Sequence, residues 1–244
     1  MAAGFVDSIV GGGGLVQLPA LLAGYPTVPP PVLLGTNKLG SICGTTSAML
    51  RYLRVVRVAA RVLVPAAAVA FFASLAGARL VSAVSPGLFR PLVPFILAVV
   101  LIYVIANKDL GSRHAPKQLS RMRSYAALAG IGCIGLYDGF FGPGTGSFLI
   151  LLFVRVYGFD FLHASLGART VNAATNAGAL LFFAAHGEVQ WGLGFALGGC
   201  NAVGSILGAK TAIKHGSHFV RLAFILIVAA LIAKTAVNAW TLNR

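Results

Sequence analysis

The sequence predicts an all-α, polytopic membrane protein with about eight hydrophobic segments arranged in two homologous halves. Three observations indicate this fold class. Of the 244 residues, 58% are hydrophobic and only 10% are charged, whereas soluble domains contain about 25% charged residues. The apolar runs are continuous and do not alternate, which argues against a β-barrel. A glycine-rich motif also recurs in the second half of the chain. Soluble globular folds are therefore excluded.

The apolar segments follow one another with short gaps. A transmembrane helix needs about 20 predominantly apolar residues, and two of the predicted segments contain glycine-rich interruptions. The predicted segments are 1–23, 31–50, 62–84, 91–107, 125–157, 160–185, 189–209 and 219–238.

The basic residues lie mainly in tracts between these segments. Lys and Arg number 19 against 5 Asp and Glu, giving a formal net charge of +14. The tracts at 51–61, 108–124 and 210–221 are typical of cytoplasmic loops beside anionic lipid. Aromatic residues do not interleave with them, so we expect a lipid bilayer and no nucleic acid as partner. The three cysteines are isolated in apolar segments, so we expect no metal site, cofactor or disulfide.

Glycine-rich breaks interrupt the first and fifth segments, at 11–14 and 142–146. Each glycine costs about 1 kcal/mol of helix propensity, and Pro143 removes a backbone donor. Asp7 and Asp138 precede the two breaks 131 residues apart. This duplication divides the chain into a first membrane repeat (1–107), a basic cytoplasmic linker (108–124) and a second membrane repeat (125–244).

The length of the broken segments bears on topology. Residues 1–10 would extend only about 15 Å as a helix, so either each broken segment is a re-entrant hairpin or the chain begins upstream. If all eight segments cross, the tract at 210–221 lies opposite the other two. If the broken segments are re-entrant, the three tracts share one face and the halves are inverted. The positive-inside rule favours the inverted arrangement.

The breaks also predict an anion site. They expose helix N-termini near Leu15 and Ser147, which carry unpaired N–H groups and partial positive charge. Lys38 and Arg169 lie in the following spans at nearly equivalent repeat positions, and intramembrane charges are functional candidates. The predicted substrate-binding residues are Lys38, Arg169, Asn37, Thr36, Gly12, Gly13, Gly14, Gln17, Gly144, Thr145, Gly146, Ser147, Asn172 and Asn176.

Asp7 and Asp138 have two interpretations. They bind a coupling proton, or they balance the two cations. The alternative without a ligand pairs Asp7 with Lys38 and Asp138 with Arg169 as buried ion pairs that only fix the packing.

The motif from Gly4-Phe5-Val6-Asp7 through the glycine run to Pro19, followed by Gly35-Thr36-Asn37-Lys38, resembles the first half of the TauE/SafE sulfite exporter family. Gly142-Pro143-Gly144-Thr145-Gly146 and Gly167-Ala168-Arg169-Thr170-Val171-Asn172 resemble its second half. The resemblance implies a bacterial inner-membrane, multi-pass permease linked to sulfite, sulfoacetate and other organosulfur anions. A homodimer is the oligomer we expect.

The function expected is therefore a secondary transporter that exports small sulfur-containing anions, coupled to the proton or the membrane potential, and not an enzyme. The sequence has no Walker A motif for ATP-driven transport. The alternatives are a passive anion channel, a non-transporting scaffold and an intramembrane aspartyl protease. The protease would need two facing aspartates, and its usual Gly-x-Gly-Asp motif is absent.

Overall fold

The computed structural model describes residues 1–83 and 114–241. Within these ranges the regular structure is entirely helical, with one 3₁₀ turn at Leu80–Ala83. The α-helices are α1 (Ala2–Val10), α2 (Gly13–Gly24), α3 (Pro30–Tyr52), α4 (Ala60–Arg79), α5 (Arg121–Phe140), α6 (Thr145–Tyr157), α7 (Phe161–Ala185) and α8 (Trp191–Thr241).

The two predicted breaks are present, and they meet each other. Gly11 caps α1 with a φ of 82°, a left-handed conformation that favours glycine. A Cβ on Gly11 would collide with the backbone of Gly146 at the start of α6. The Ser147 hydroxyl also donates to the Val10 carbonyl at 2.7 Å. Both predicted interruptions are therefore present, and the two broken segments contact each other.

The second broken segment folds back on itself. The Ala115 N–H donates to the Gly158 carbonyl at 3.0 Å, and the Lys117 N–H donates to the Tyr157 carbonyl at 2.9 Å. The chain before α5 thus lies beside the chain after α6. Helices α5 and α6 form a hairpin whose two ends are at the same end of the molecule.

Helices α3 and α7 pack against each other and run antiparallel. The start of α3 lies beside the turn that follows α7, because the Gln190 N–H donates to the Thr36 hydroxyl at 2.9 Å. The start of α7 lies beside the open end of the α5–α6 hairpin. The C-terminus of α3 is therefore at that same end, opposite the 186–190 turn.

Most predicted segments correspond to observed helices. The broken helices restart at Gly13 and Thr145, two residues before the predicted Leu15 and Ser147. Gly12 and Gly144 are the N-caps, and glycine is accepted at that position. Gly216 interrupts α8 with a φ of 76°, between the two predicted C-terminal segments. The segment 91–107 and residues 108–113 of the linker lie outside the described residues.

Two helices among the described residues are both long and apolar enough to cross a membrane. They are Ala60–Arg79 and the part of α8 from Trp191 to Ile227. Helices α3 and α7 instead carry buried polar side chains along their length. These two polar helices flank the region where the breaks meet.

Candidate functional site

A small polar cavity lies where the two breaks meet α3 and α7. Its lining combines backbone from both breaks with charged and amide side chains from four helices. The cavity has room for about one water molecule. The lining residues are Asp7, Gly11, Gly14, Asn37, Lys38, Ser41, Thr45, Asp138, Gly142, Gly146, Asn172 and Asn176.

Arg169 lies beside this cavity and is fully buried. Its side chain has 0% exposure, and none of its three guanidinium nitrogens has a hydrogen-bond partner among the described residues. The nearest carboxylate oxygen is that of Asp7, 3.8 Å from Nη1. A Cβ on Gly146 would lie 2.8 Å from the same nitrogen. The guanidinium therefore faces the start of α6 with unused donors, which is a costly arrangement for a buried cation.

Lys38 is held much more closely than Arg169. Its Nζ lies 2.9 Å from Asp138 Oδ2 and donates to the main-chain carbonyl of Asp138 at 2.5 Å. The two side chains are 2% and 3% exposed. Lys38 and Asp138 form a closed ion pair, whereas Asp7 and Arg169 are loosely associated.

The ion pairs connect the two halves of the chain. The ligand-free alternative paired Asp7 with Lys38 and Asp138 with Arg169, and that pairing is wrong. Lys38 instead faces Asp138, and Arg169 faces Asp7. The contact between the two breaks brings each aspartate against the polar helix of the other half. The four charges therefore link the halves at the cavity.

Comparison with known proteins identifies the family of the chain. The family model described as Sulfite exporter TauE/SafE matches residues 1–235. The chain belongs to the TauE/SafE family.

Curated relatives of this TauE/SafE protein cover almost the whole chain. The probable membrane transporter protein YfcA of Escherichia coli K12 is 36% identical over 236 residues, covering 96% of this chain and 86% of the relative. The probable membrane transporter protein ORF9 of Sinorhizobium sp is 35% identical, covering 94% and 86%. A probable membrane transporter protein of Haemophilus influenzae is 33% identical, covering 90% and 84%. No solved structure gives a significant match.

The structure brings about half of the predicted site residues to the cavity. Both aspartates line it, together with six of the predicted substrate-binding residues, and Arg169 lies next to Gly146. The six are Gly14, Asn37, Lys38, Gly146, Asn172 and Asn176.

The remaining predicted residues support the site from outside the lining. The Thr36 hydroxyl donates to the Val32 carbonyl and accepts from the Gln190 N–H. Thr36 therefore fixes the N-terminal part of α3. Gln17 accepts a hydrogen bond from Asn201. Gly12 and Gly144 are the residues that cap α2 and α6.

Three further predicted residues hold the breaks in place. The Gly13 N–H donates to Asp7 Oδ1 at 3.1 Å, so one free donor of α2 already binds a carboxylate. The Thr145 hydroxyl donates to the Gly142 carbonyl at 2.7 Å, and Ser147 bonds Val10 as described above. The N-terminus of α2 is therefore partly satisfied by the protein itself.

The predicted substrate-binding set lacks three contributors from α3 and α8, although Thr45 is one of the polar groups that the sequence places in the same region. Ser41 and Thr45 follow Lys38 at helical spacing, which places them on the same face of α3, so periodicity could have identified them. Asn201 of α8 donates to Gln17 and to the Gly40 carbonyl at 3.1 Å. No spacing rule connects Asn201 to the breaks, because it comes from a helix outside the repeated motif.

A second polar cluster lies outside the cavity lining, where the linker meets the start of α7. It contains His114, Asp160 and His163. Partial burial lowers the pKa of His114, and the neighbouring His163 lowers it further, while Asp160 acts in the opposite direction. The neutral imidazole of His114 is therefore favoured at physiological pH.

Proposed function

We propose that this TauE/SafE chain is a secondary transporter that carries small sulfur-containing anions, such as sulfite, sulfoacetate or other sulfonates, out of the cell. The observation that carries the proposal is the buried Arg169 guanidinium, whose nitrogens have no hydrogen-bond partner among the described residues. A planar guanidinium binds two oxygens of an oxyanion at once. An anion at Arg169 would satisfy donors that the protein itself leaves unused.

Anion binding requires a rearrangement of the cavity. The space beside Arg169 has room for about one water molecule, which is too little for a sulfite or sulfonate. The Asp7 carboxylate is the negative charge nearest to the guanidinium, at 3.8 Å. We therefore expect the anion to replace Asp7, and the lining amides Asn172 and Asn176 to contact its remaining oxygens.

The charge balance supports coupling to protons. Asp7, Asp138, Lys38 and Arg169 sum to zero when all are ionised. Adding one monovalent anion would leave a net negative charge inside the bilayer, where unpaired charge is costly. A proton taken up by the displaced Asp7 restores neutrality, so one anion and one proton move together. Because the pH gradient of a cell drives protons inward, export of the pair requires an outward anion gradient. Asp138 is less suited to this role, because Lys38 holds it closely.

An inverted arrangement of the halves, 1–107 and 125–244 joined by the linker 108–124, fits the contacts. Leu18 of α2 belongs to the same core cluster as Phe183 and Val189, so α2 runs towards the 186–190 turn. The α5–α6 hairpin opens at the opposite end, where Ala115 meets Gly158. Two re-entrant hairpins opening to opposite sides of the bacterial inner membrane would give alternating access to the cavity.

The substrate class and the binding site are inferred from different observations. The cavity chemistry supports a small oxyanion. The restriction to sulfur-containing anions, and the outward direction, rest on the description of the family and on the resemblance of the motifs.

Flux into proteoliposomes tests the proposal. The purified chain is reconstituted, and uptake of radiolabelled sulfite is followed with a pH gradient, with a membrane potential and with neither. We expect accumulation against the sulfite gradient when the pH gradient is imposed. Equilibration without accumulation under any gradient would support the passive channel, and an absence of flux for sulfite and sulfonates would support the scaffold.

The protease alternative is less well supported by the geometry. Each aspartate faces a cation of the other half, whereas an aspartyl protease needs two carboxylates that share a proton. Peptide cleavage lost on Asp138→Asn would favour the protease over the transporter.

A further inference from the structure

Three potential metal ligands meet at the junction between the linker and α7. His114, Asp160 and His163 each offer one ligand atom, and these atoms lie within 4.8 Å of one another. The two imidazole rings are stacked with centroids 3.6 Å apart. His163 Nδ1 lies 2.8 Å from Asp160 Oδ1. None of these residues belongs to the central cavity, and the proposed transport mechanism does not use them.

The backbone holds the three residues in place. Asp160 is the N-cap of α7 and accepts the His163 N–H at 2.8 Å. The Ala115 N–H donates to the Gly158 carbonyl, which fixes the residue next to His114. Gly158 has a φ of 73°, and a Cβ there would collide with the Ala115 carbonyl oxygen. The approach of the two segments is therefore built into the fold and does not depend on the side chains alone.

The cluster is only partly exposed. The side chains of His163 and Asp160 are 19% and 17% exposed, and His114 is exposed. The Phe159 ring packs 5.5 Å from the His114 ring. One side of the cluster is thus covered by protein and the other is open, so an ion can enter from solvent and keep a water ligand.

We propose that His114, Asp160 and His163 form a binding site for one divalent transition-metal ion, with Zn²⁺ as the best match. Two imidazoles and one carboxylate are the ligand set of many three-ligand zinc sites that keep an open position. Ligand atoms about 2.1 Å from a tetrahedral Zn²⁺ lie about 3.4 Å from one another. Because the ligand atoms lie within 4.8 Å of one another, side-chain movements that shorten these separations by up to about 1.4 Å bring them to that spacing.

The bound ion would fasten the linker to the second half of the chain. His114 lies in the linker, whereas Asp160 and His163 lie at the start of α7. A metal bridge would add to the two backbone hydrogen bonds that already join these segments.

Metal titration of the full chain in detergent tests the site. The protein is stripped with a chelator, and Zn²⁺ binding is measured by isothermal titration calorimetry and by metal content after dialysis. We expect one ion per chain, and at least a tenfold weaker affinity in His114→Ala and in His163→Ala. His186→Ala is the matched control, because His186 is exposed at the opposite end of the molecule and should leave the affinity unchanged.

A further variant separates metal binding from folding. Asp160→Asn keeps an acceptor that can cap α7 but removes the charge that attracts the ion, so it should fold normally and bind Zn²⁺ more weakly. Co²⁺ added to the unaltered chain should give visible absorption bands, and these should disappear in His163→Ala. Stoichiometric binding that survives both histidine variants, or no binding by the unaltered chain, would overturn the proposal.

Discussion

Lys38 of the first half and Asp138 of the second half form a buried ion pair, with Nζ 2.9 Å from Oδ2. The pair joins two repeats of one motif across the polar cavity. Asp7 and Arg169 make the corresponding connection at 3.8 Å. The nitrogen–oxygen distance is shorter in the Lys38–Asp138 pair than in the Arg169–Asp7 pair, and this difference suggests separate roles. The close pair holds the halves together, while the loose pair can open for a ligand.

Removing one member of the close pair should be worse than removing both. Lys38→Met leaves the Asp138 carboxylate buried without its cation, which costs about 3–5 kcal/mol in comparable pairs. We expect a clear fall in the apparent Tm of the detergent-solubilised protein for Lys38→Met. The double variant Lys38→Met/Asp138→Asn should recover part of that fall, and a double variant as unstable as the single one would contradict this assignment.

The contact between the two breaks predicts that Gly146 cannot be replaced. A Cβ at this position would collide with Gly11 and lie 2.8 Å from Arg169 Nη1. Gly146→Ala should therefore lower both the apparent Tm and sulfite flux. Gly199→Ala is the control, because a Cβ there meets nothing within 4 Å and alanine improves helix propensity by about 1 kcal/mol. Equal behaviour of the two variants would argue against the contact.

Ser147 supplies a smaller part of the same contact. Its hydroxyl satisfies the Val10 carbonyl at the end of α1, and an unsatisfied buried carbonyl costs about 1–3 kcal/mol. Ser147→Ala should lower the apparent Tm by several degrees. Thr211→Ala should leave it almost unchanged, because the Thr211 hydroxyl is exposed and bonds only within its own helix. A Tm unaffected by Ser147→Ala would show that this hydrogen bond contributes little.

The proposed topology can be tested by cysteine labelling. After replacement of Cys43, Cys133 and Cys200, single cysteines are introduced at Gly187 and Lys117, which lie at opposite ends of the molecule. In the inverted arrangement, a membrane-impermeant maleimide should label Gly187→Cys in intact cells and Lys117→Cys only after permeabilisation. Labelling of both positions from outside would contradict the arrangement.

The sequence predicted the helical segments and the breaks because these depend on local chemistry. Continuous apolar runs mark helices in a bilayer, and the glycine runs that contain Gly11 and Gly146 interrupt them. The charged residues Lys38, Asp138 and Arg169 were also identified from their positions inside apolar segments. Each of these signals can be recognised within a single segment of the sequence.

The pairing of the charges was not predictable in the same way. The recurring motif predicts that Asp7 and Asp138 are equivalent, but equivalence is compatible with pairing within a half or between halves. The choice depends on how the two breaks meet in three dimensions. The sequence does not distinguish the roles of the adjacent residues Thr36 and Asn37 for the same reason. Thr36 fixes the N-terminal part of α3, whereas Asn37 lines the cavity.

The most direct test of the central claim is anion binding at Arg169. The Tm of the purified protein is followed as sulfite and sulfoacetate are added, with taurine and carboxylate analogues for comparison. We expect a saturable rise in Tm with sulfite or a sulfonate, which is lost in Arg169→Gln and retained in Arg54→Gln, where the exposed guanidinium of a basic tract is changed in the same way. An equal rise in Tm for Arg169→Gln and the unaltered protein would contradict the account.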